Sequence, residues 1–346
     1  MQIIEKKLKE IFDSRKLAGM TVVITNKEKI IYKGNFGVAS VEMPSVPVSE
    51  RSLYRIASIT KITTGLMIMK LREEGVLDID TPIKAYIPWL SLQNKQSEET
   101  ITLRHLLSHV AGLPMEYTPE GPREESALEA TLMEALPTLP IASLPEENKY
   151  VYSNWGLRIA SYVAERQTGK KYSELVQKYV LDPLKMTYST FDIRDAITYH
   201  VSLPHEIDEQ GELYVVHHIK ENATRLAAGG LYSNAEDLSR LARMLLNNGK
   251  NDDGEEVFSE KILSEMSTVH SGRNDGAQYG ITMRLGKLGG IDTRGHLGSA
   301  PPYATSLFVA DELGIGIVTL MNTEYKELRT EIANMIISEL KNRLNK

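Results

Sequence analysis

Apolar residues recur three and four apart at the start of the chain, where Ile4, Leu8 and Ile11 of "MQIIEKKLKEIFDSRK" form one stripe and predict an amphipathic helix. Two β-rich runs follow, "MTVVITN" and "KIIYKGNFG", parted by a polar turn around Lys27 and Glu28, the pattern of an antiparallel hairpin. From Ser58 to about Met266 the spacing becomes helical, as in "SITKITTGLMIMKLREEGV", "TLRHLLSHV", "NWGLRIASYVAERQTG" and "NAEDLSRLARMLLNNG". Strand patterns return in "QYGITMRLG", "YATSLFVAD" and "GIGIVTLMN", and a last helix is expected from about Thr323. Strands at both ends with helices between predict an α/β (α+β) fold. An antiparallel sheet would be built from 1–57 and 270–346 and flanked by terminal helices, with a mainly helical domain inserted over 58–269. The interface of the two is where a site is expected.

At 346 residues, 42% hydrophobic and 25% charged, the chain has the composition of a soluble globular protein. A net charge of -6 with Lys and Arg evenly scattered argues against nucleic acid, because phosphate binding needs a concentrated basic face. The complete lack of cysteine removes disulfides, thiolate metal sites and Cys nucleophiles together, so any nucleophile is an oxygen or an amine. The N-terminal segment lacks the apolar block of a secretory signal. The run "LFVADELGIGIVTLM" is broken by Asp311 and Glu312 and is too short to span a bilayer. A cytoplasmic protein without membrane contact is the expectation.

Candidate chemistry begins with Ser58 and Lys61, three residues apart at a helix start, a spacing that brings hydroxyl and amine onto one face. A serine hydroxyl needs a base to become a nucleophile, and a lysine becomes one only if burial or a nearby positive charge lowers its pKa. Free backbone N–H groups at the helix start could then receive a developing oxyanion. The spacing alone is weak, since Ser338 and Lys341 repeat it inside the last helix. Partner motifs come in pairs. "YSN" occurs at Tyr152 and again at Tyr232, where Ser233 and Glu236 already have an explanation as a capping box. His-x-Gly occurs at His270, in a polar loop with Asn274, Asp275 and Gly276, and at His296, just before a strong strand pattern.

Taken in order, "SITK", "YSN" and "HLG" at 58, 152 and 296 resemble the serine β-lactamase and penicillin-binding-protein-like hydrolases, in the branch of class C β-lactamases, D-stereospecific peptidases and family VIII esterases. "ITLRHLLSHVAGLP" and "AAGGLYSNAEDLSRLARML" extend the resemblance over nearly the whole chain. It implies a β-lactamase-like fold without metal or cofactor, acting through an acyl-enzyme. Ser58 would be the nucleophile and Lys61 would help to deprotonate it. Tyr152, as phenolate or through a relay with Lys61, would serve as base and then as acid, and Asn154 would orient Lys61 and the substrate carbonyl. The backbone N–H groups of Ser58 and Ser299 would form the oxyanion hole, and Gly298 would let its strand approach the substrate. His296 stands where β-lactamases usually have Lys, which in this family accompanies esterases and D-amino-acid peptidases. "SAPPY" puts Pro301 and Pro302 before Tyr303, removing donors and narrowing the site, with Tyr303 and Trp155 as wall candidates.

His217-His218 lacks an acidic residue at a zincin spacing, and no "HExxH", "GxGxxG", "GxxxxGK[ST]" or "GxSxG" is present. His105 and His109 are expected to pack or cap, and Met67 and Met69 to fill the core. The resulting expectation is a serine hydrolase for small esters or amides, as an esterase or a D-amino-acid amidase or peptidase. A DD-peptidase or weak β-lactamase, and a catalytically silent binding module, stand as the alternatives.

Overall fold

The computed structural model describes residues 1–116, 120–272 and 276–344. The chain opens as anticipated, with helix α1 (Gln2–Asp13) and strands β1 (Gly19–Thr25) and β2 (Ile30–Gly37). The middle supplies helices α2 (Thr60–Glu73), α3 (Leu103–Leu107), α4 (Asn154–Thr168), α5 (Leu226–Gly229) and α6 (Ala235–Leu246). The remainder returns to strand in β3 (Ser271–Gly272), β4 (Gln278–Tyr279), β5 (Arg284–Leu288), β6 (Ile291–Ala300), β7 (Tyr303–Ala310) and β8 (Ile315–Met321), then ends in α7 (Leu328–Leu344). These strands make one antiparallel sheet in the order β2-β1-β8-β7-β6-β5-β4-β3, so the two chain ends meet at β1 and β8 with Val23 opposite Val318.

Both faces of that sheet are covered, which is why β1 and β8 are buried at every position. On one face Met20, Val22, Ile24, Ile317 and Met321 pack with Ile4 and Leu8 of α1 and Ile332 and Ile336 of α7. On the other, Val23, Val309, Val318 and Leu320 join a larger core with Met67 and Met69 of α2 and Leu238, Leu241 and Leu245 of α6. Helix α2 is buried from Thr60 to Met69 and again at Leu71, so it runs through the core instead of lying on a surface.

Three sequence expectations shift. The last helix starts at Leu328, not near Thr323, because the Thr323 hydroxyl accepts the Ala18 N–H at 3.1 Å and the residue bridges His205 in extended form. Helix α6 is capped by Asn234, which accepts the Asp237 N–H at 2.8 Å; Ser233 instead bonds Ser189 at 2.8 Å. His270 precedes an edge strand, its N–H donating to Tyr279 O at 2.9 Å, while Asn274 and Asp275 lie outside the described residues.

Candidate active site

Ser58 stands in a 3₁₀ turn, Ala57–Ile59, that leads into α2. The turn is sharp: Ala57 has φ of 50°, a left-handed conformation that is unfavourable for a residue with a Cβ. Its neighbour Ile56 is clamped, donating N–H to Leu231 O at 3.0 Å while its carbonyl accepts Thr305 Oγ1 at 2.9 Å. Pairing of Tyr54 and Arg55 with Ser233 and Tyr232 holds the approach to the turn.

Lys61, one helical turn on, is fully buried. Its Nζ lies 3.1 Å from Ser58 Oγ, 3.0 Å from Asn154 Oδ1 and 2.6 Å from Ala228 O. None of these partners is a carboxylate. Burial therefore pushes the amine well below its ordinary pKa, and the nearby Arg225 charge pushes in the same direction. With its proton lost, the amine gives two N–H groups to Asn154 and Ala228 and keeps its lone pair for the Ser58 hydroxyl proton. Tyr152 completes the group, its O–H donating to Ser58 Oγ at 2.8 Å, with Lys61 Nζ 4.9 Å from its ring centre.

Tyr152 and Asn154 are placed by the start of α4. Ser153 caps that helix by accepting the Gly156 N–H at 3.2 Å, and its own hydroxyl donates to Pro114 O at 3.1 Å. Asn154 donates to Glu116 O at 2.8 Å, which turns its oxygen toward Lys61. His109 accepts the Ser153 N–H at 3.2 Å and lies 4.4 Å from the Tyr152 ring, so it supports the loop that carries the phenol. His105 bonds Thr102 in the capping box that opens α3.

His296 faces the group from β6. Its Nδ1 is 2.6 Å from Leu297 O, which only accepts, so that nitrogen carries a hydrogen and Nε2 in the neutral ring accepts the Tyr279 phenol at 2.8 Å. Pairing of β6 with β5 stops at Gly295, and among the described residues no strand pairs with His296 to Ala300 on that side. His296, Leu297, Ser299 and Ala300 border a cavity of about 550 Å³ together with Ser58, Tyr152 and Asn154. That volume is ordinary for a small-molecule site, so Pro301 contributes to the wall without closing it.

Three anticipated wall or contact roles are corrected. Tyr303 is buried outside the cavity, donating its O–H to Ser202 O at 2.8 Å with its ring edge-on to Tyr54 at 6.5 Å. Trp155 is buried against Arg158, whose guanidinium carbon lies 4.1 Å from its ring centre. Gly298 serves close approach of a different kind: a Cβ there would run into Ile56 O and Thr305 Oγ1, so the glycine lets β6 press against the nucleophile's turn. Sequence reasoning missed Tyr279, Tyr150, Arg225, Arg284 and Arg329, all of which line the cavity. Tyr279 and Arg284 lie inside the quoted "QYGITMRLG" and Arg225 two residues before the quoted "AAGGLYSN", but none of them stands in a motif that marks it. His217 and His218 face separate acids, Glu42 at 3.0 Å and Glu120 at 3.2 Å. Among the described residues no helix is long and apolar enough to cross a membrane.

A family model described as Beta-lactamase matches residues 4–340. Protein flp of Staphylococcus aureus (strain N315) is 24% identical over 352 residues, covering 96% of this chain; the chain spans 66% of that protein's length. Among solved structures, the octameric penicillin-binding protein homologue from Pyrococcus abyssi superposes with a TM-score of 0.82 at 26% identity, over 99% of this chain and 77% of that one. A D-stereospecific amidohydrolase from Streptomyces sp. shares the fold with a TM-score of 0.76 at 19% identity, over 96% and 98% of the two chains.

Proposed function

The chain belongs to the Beta-lactamase family, and from that premise we propose that it is a serine hydrolase that cleaves small esters or amides through an acyl-enzyme, as an esterase or a D-amino-acid amidase or peptidase. The observation that carries this reading is Lys61, an amine buried without a carboxylate partner 3.1 Å from a serine hydroxyl. Ser58 Oγ attacks the substrate carbonyl carbon and its proton passes to Lys61 Nζ. The carbonyl oxygen takes the negative charge between the backbone N–H groups of Ser58 and Ser299. Collapse breaks the bond to the alcohol or amine, which takes the Tyr152 proton; Tyr152 recovers one from Lys61. Water then repeats the sequence and releases the acid. His296 supports the ester and D-amino-acid side of the reading, since its ring nitrogens are held by Leu297 O and Tyr279 and present no ammonium to the substrate.

The test is hydrolysis of p-nitrophenyl butyrate by the wild type and Ser58→Ala between pH 6 and 9. The wild type should turn over, faster with rising pH as Lys61 gives up its proton, and the variant should lose about 10³-fold or more. Equal activity of the two proteins would move the nucleophile elsewhere. Inactivity of both would remove the ester reading, leaving D-alanyl amides and a chromogenic cephalosporin to try next.

A further inference from the structure

The cavity wall carries one sign of charge. Arg55, Arg225, Arg284, Arg329 and Lys326 line it, and no Asp or Glu does among the described residues, although the whole chain has a net charge of -6. A concave wall with cations of one sign concentrates field lines and favours an anionic guest. The cations also divide by element. Arg284 opens β5, Arg329 lies in α7 with its guanidinium donating to Gly298 O, and Lys326 leads into that helix. These three form the sheet wall, and the Tyr152 phenol, brought in at the start of α4, is close enough to bear on Arg329. Behind the wall Glu324 pairs with Lys326 at 2.6 Å, and Arg329 is close enough to Glu327, Glu324, Arg284 and Tyr152 to feel all four.

Arg225 belongs to the opposite wall. It ends the 3₁₀ turn Ala223–Arg225 directly before α5, whose Ala228 carbonyl binds Lys61. Arg55 is drawn to the same wall, its NH1 donating to Lys220 O at 2.8 Å. Arg225 also bears on Lys61, so its charge reaches the catalytic group from this wall. We infer that the acyl part of a substrate on Ser58 extends toward Arg225 and Arg55 while its leaving group faces Tyr152, and that the natural substrate has an acidic acyl group, an acyl chain ending in a carboxylate that Arg225 binds on the helical wall. Guanidinium suits that ligand because its planar donors match a carboxylate bidentately.

The inference rests on the acyl-enzyme reading, and two readouts separate their failures. The first compares kcat/KM for mono-p-nitrophenyl glutarate and p-nitrophenyl valerate, which share leaving group and carbon count. The wild type should favour the glutarate by about 10- to 100-fold, the worth of one charge-assisted hydrogen-bond pair. Arg225→Gln should bring the ratio near one, Arg225→Lys should restore part of it, and Arg284→Gln should leave the preference in place. Because Arg225 also bears on Lys61, activity on both esters changes in Arg225→Gln; the ratio cancels that effect. The second readout is calorimetric binding of monomethyl glutarate to Ser58→Ala, expected to weaken by about 10-fold or more when Arg225→Gln is added.

Binding that depends on Arg225 without turnover of either ester would uphold the anion site and overturn the hydrolase reading. Turnover of both esters at equal kcat/KM, with no binding of monomethyl glutarate, would overturn the anion site alone. A preference lost in Arg284→Gln and kept in Arg225→Gln would overturn its placement on the helical wall.

Discussion

Lys61 has neither solvent nor a carboxylate around it, so only neutral oxygens face its charge and its proton is held weakly. The consequence extends from catalysis to stability. In the unfolded chain the amine titrates near 10.4; in the folded protein burial and Arg225 hold it well below that. Between those two values the unfolded state binds more protons, so raising the pH favours the folded state. Measured by urea unfolding from pH 7 to 10, the stability of the wild type relative to Lys61→Met should therefore rise by about 1.4 kcal/mol per pH unit within that window. A difference that stays flat would mean that Lys61 keeps an ordinary pKa and is no base. Ser58, Lys61, Tyr152, Asn154 and His296 were legible because each lies in a short motif whose spacing survives folding. Tyr303 misleads because nearness along the chain to "HLGSA" is not nearness to the cavity: its phenol goes to Ser202. The arginines were hidden for the opposite reason: Arg225, Arg284 and Arg329 lie far apart in sequence and line one cavity only through the fold.

At the scale of elements, the site depends on how tightly β6 lies against the turn that carries Ser58. Gly298 permits that approach and Thr305, its partner on β7, ties the turn through Ile56 O at 2.9 Å. Gly298→Ala should push β6 off the turn and lower kcat/KM for p-nitrophenyl butyrate by about 10²-fold, the scale of a displacement near 1 Å. Unchanged kinetics in a folded Gly298→Ala protein would show that the strand does not set the geometry. The long periodic segments α1, α2, α4 and α6 were legible from their spacing, as were β1 and β2. Their boundaries depended on single hydrogen bonds that spacing does not encode. Asn234 instead of Ser233 caps α6, and Thr323 stays extended because Ala18 and His205 hold it. Nor did the left-handed Ala57 have a sequence signal, since glycine is the residue that usually marks such a turn.

Over the whole molecule, the two chain ends close one sheet, and the helices between them pack onto its inner face in a core that runs without a break from Val318 to α2. That closure brings residues 58, 152 and 296 together, since the YSN loop arrives from the helices and the HLG strand from the sheet. The order of the elements made this closure legible. The sign of the cavity was not, because its cations are drawn from positions 55 to 329 of a chain that is acidic overall. The most direct test of the central claim, a covalent intermediate on Ser58, is intact-mass and peptide mass spectrometry on protein quenched in acid seconds after mixing with an excess of p-nitrophenyl butyrate. A butyryl adduct on the peptide that holds Ser58, absent from Ser58→Ala, is the predicted result. An adduct on another residue, or turnover that Ser58→Ala retains without any adduct, would contradict it.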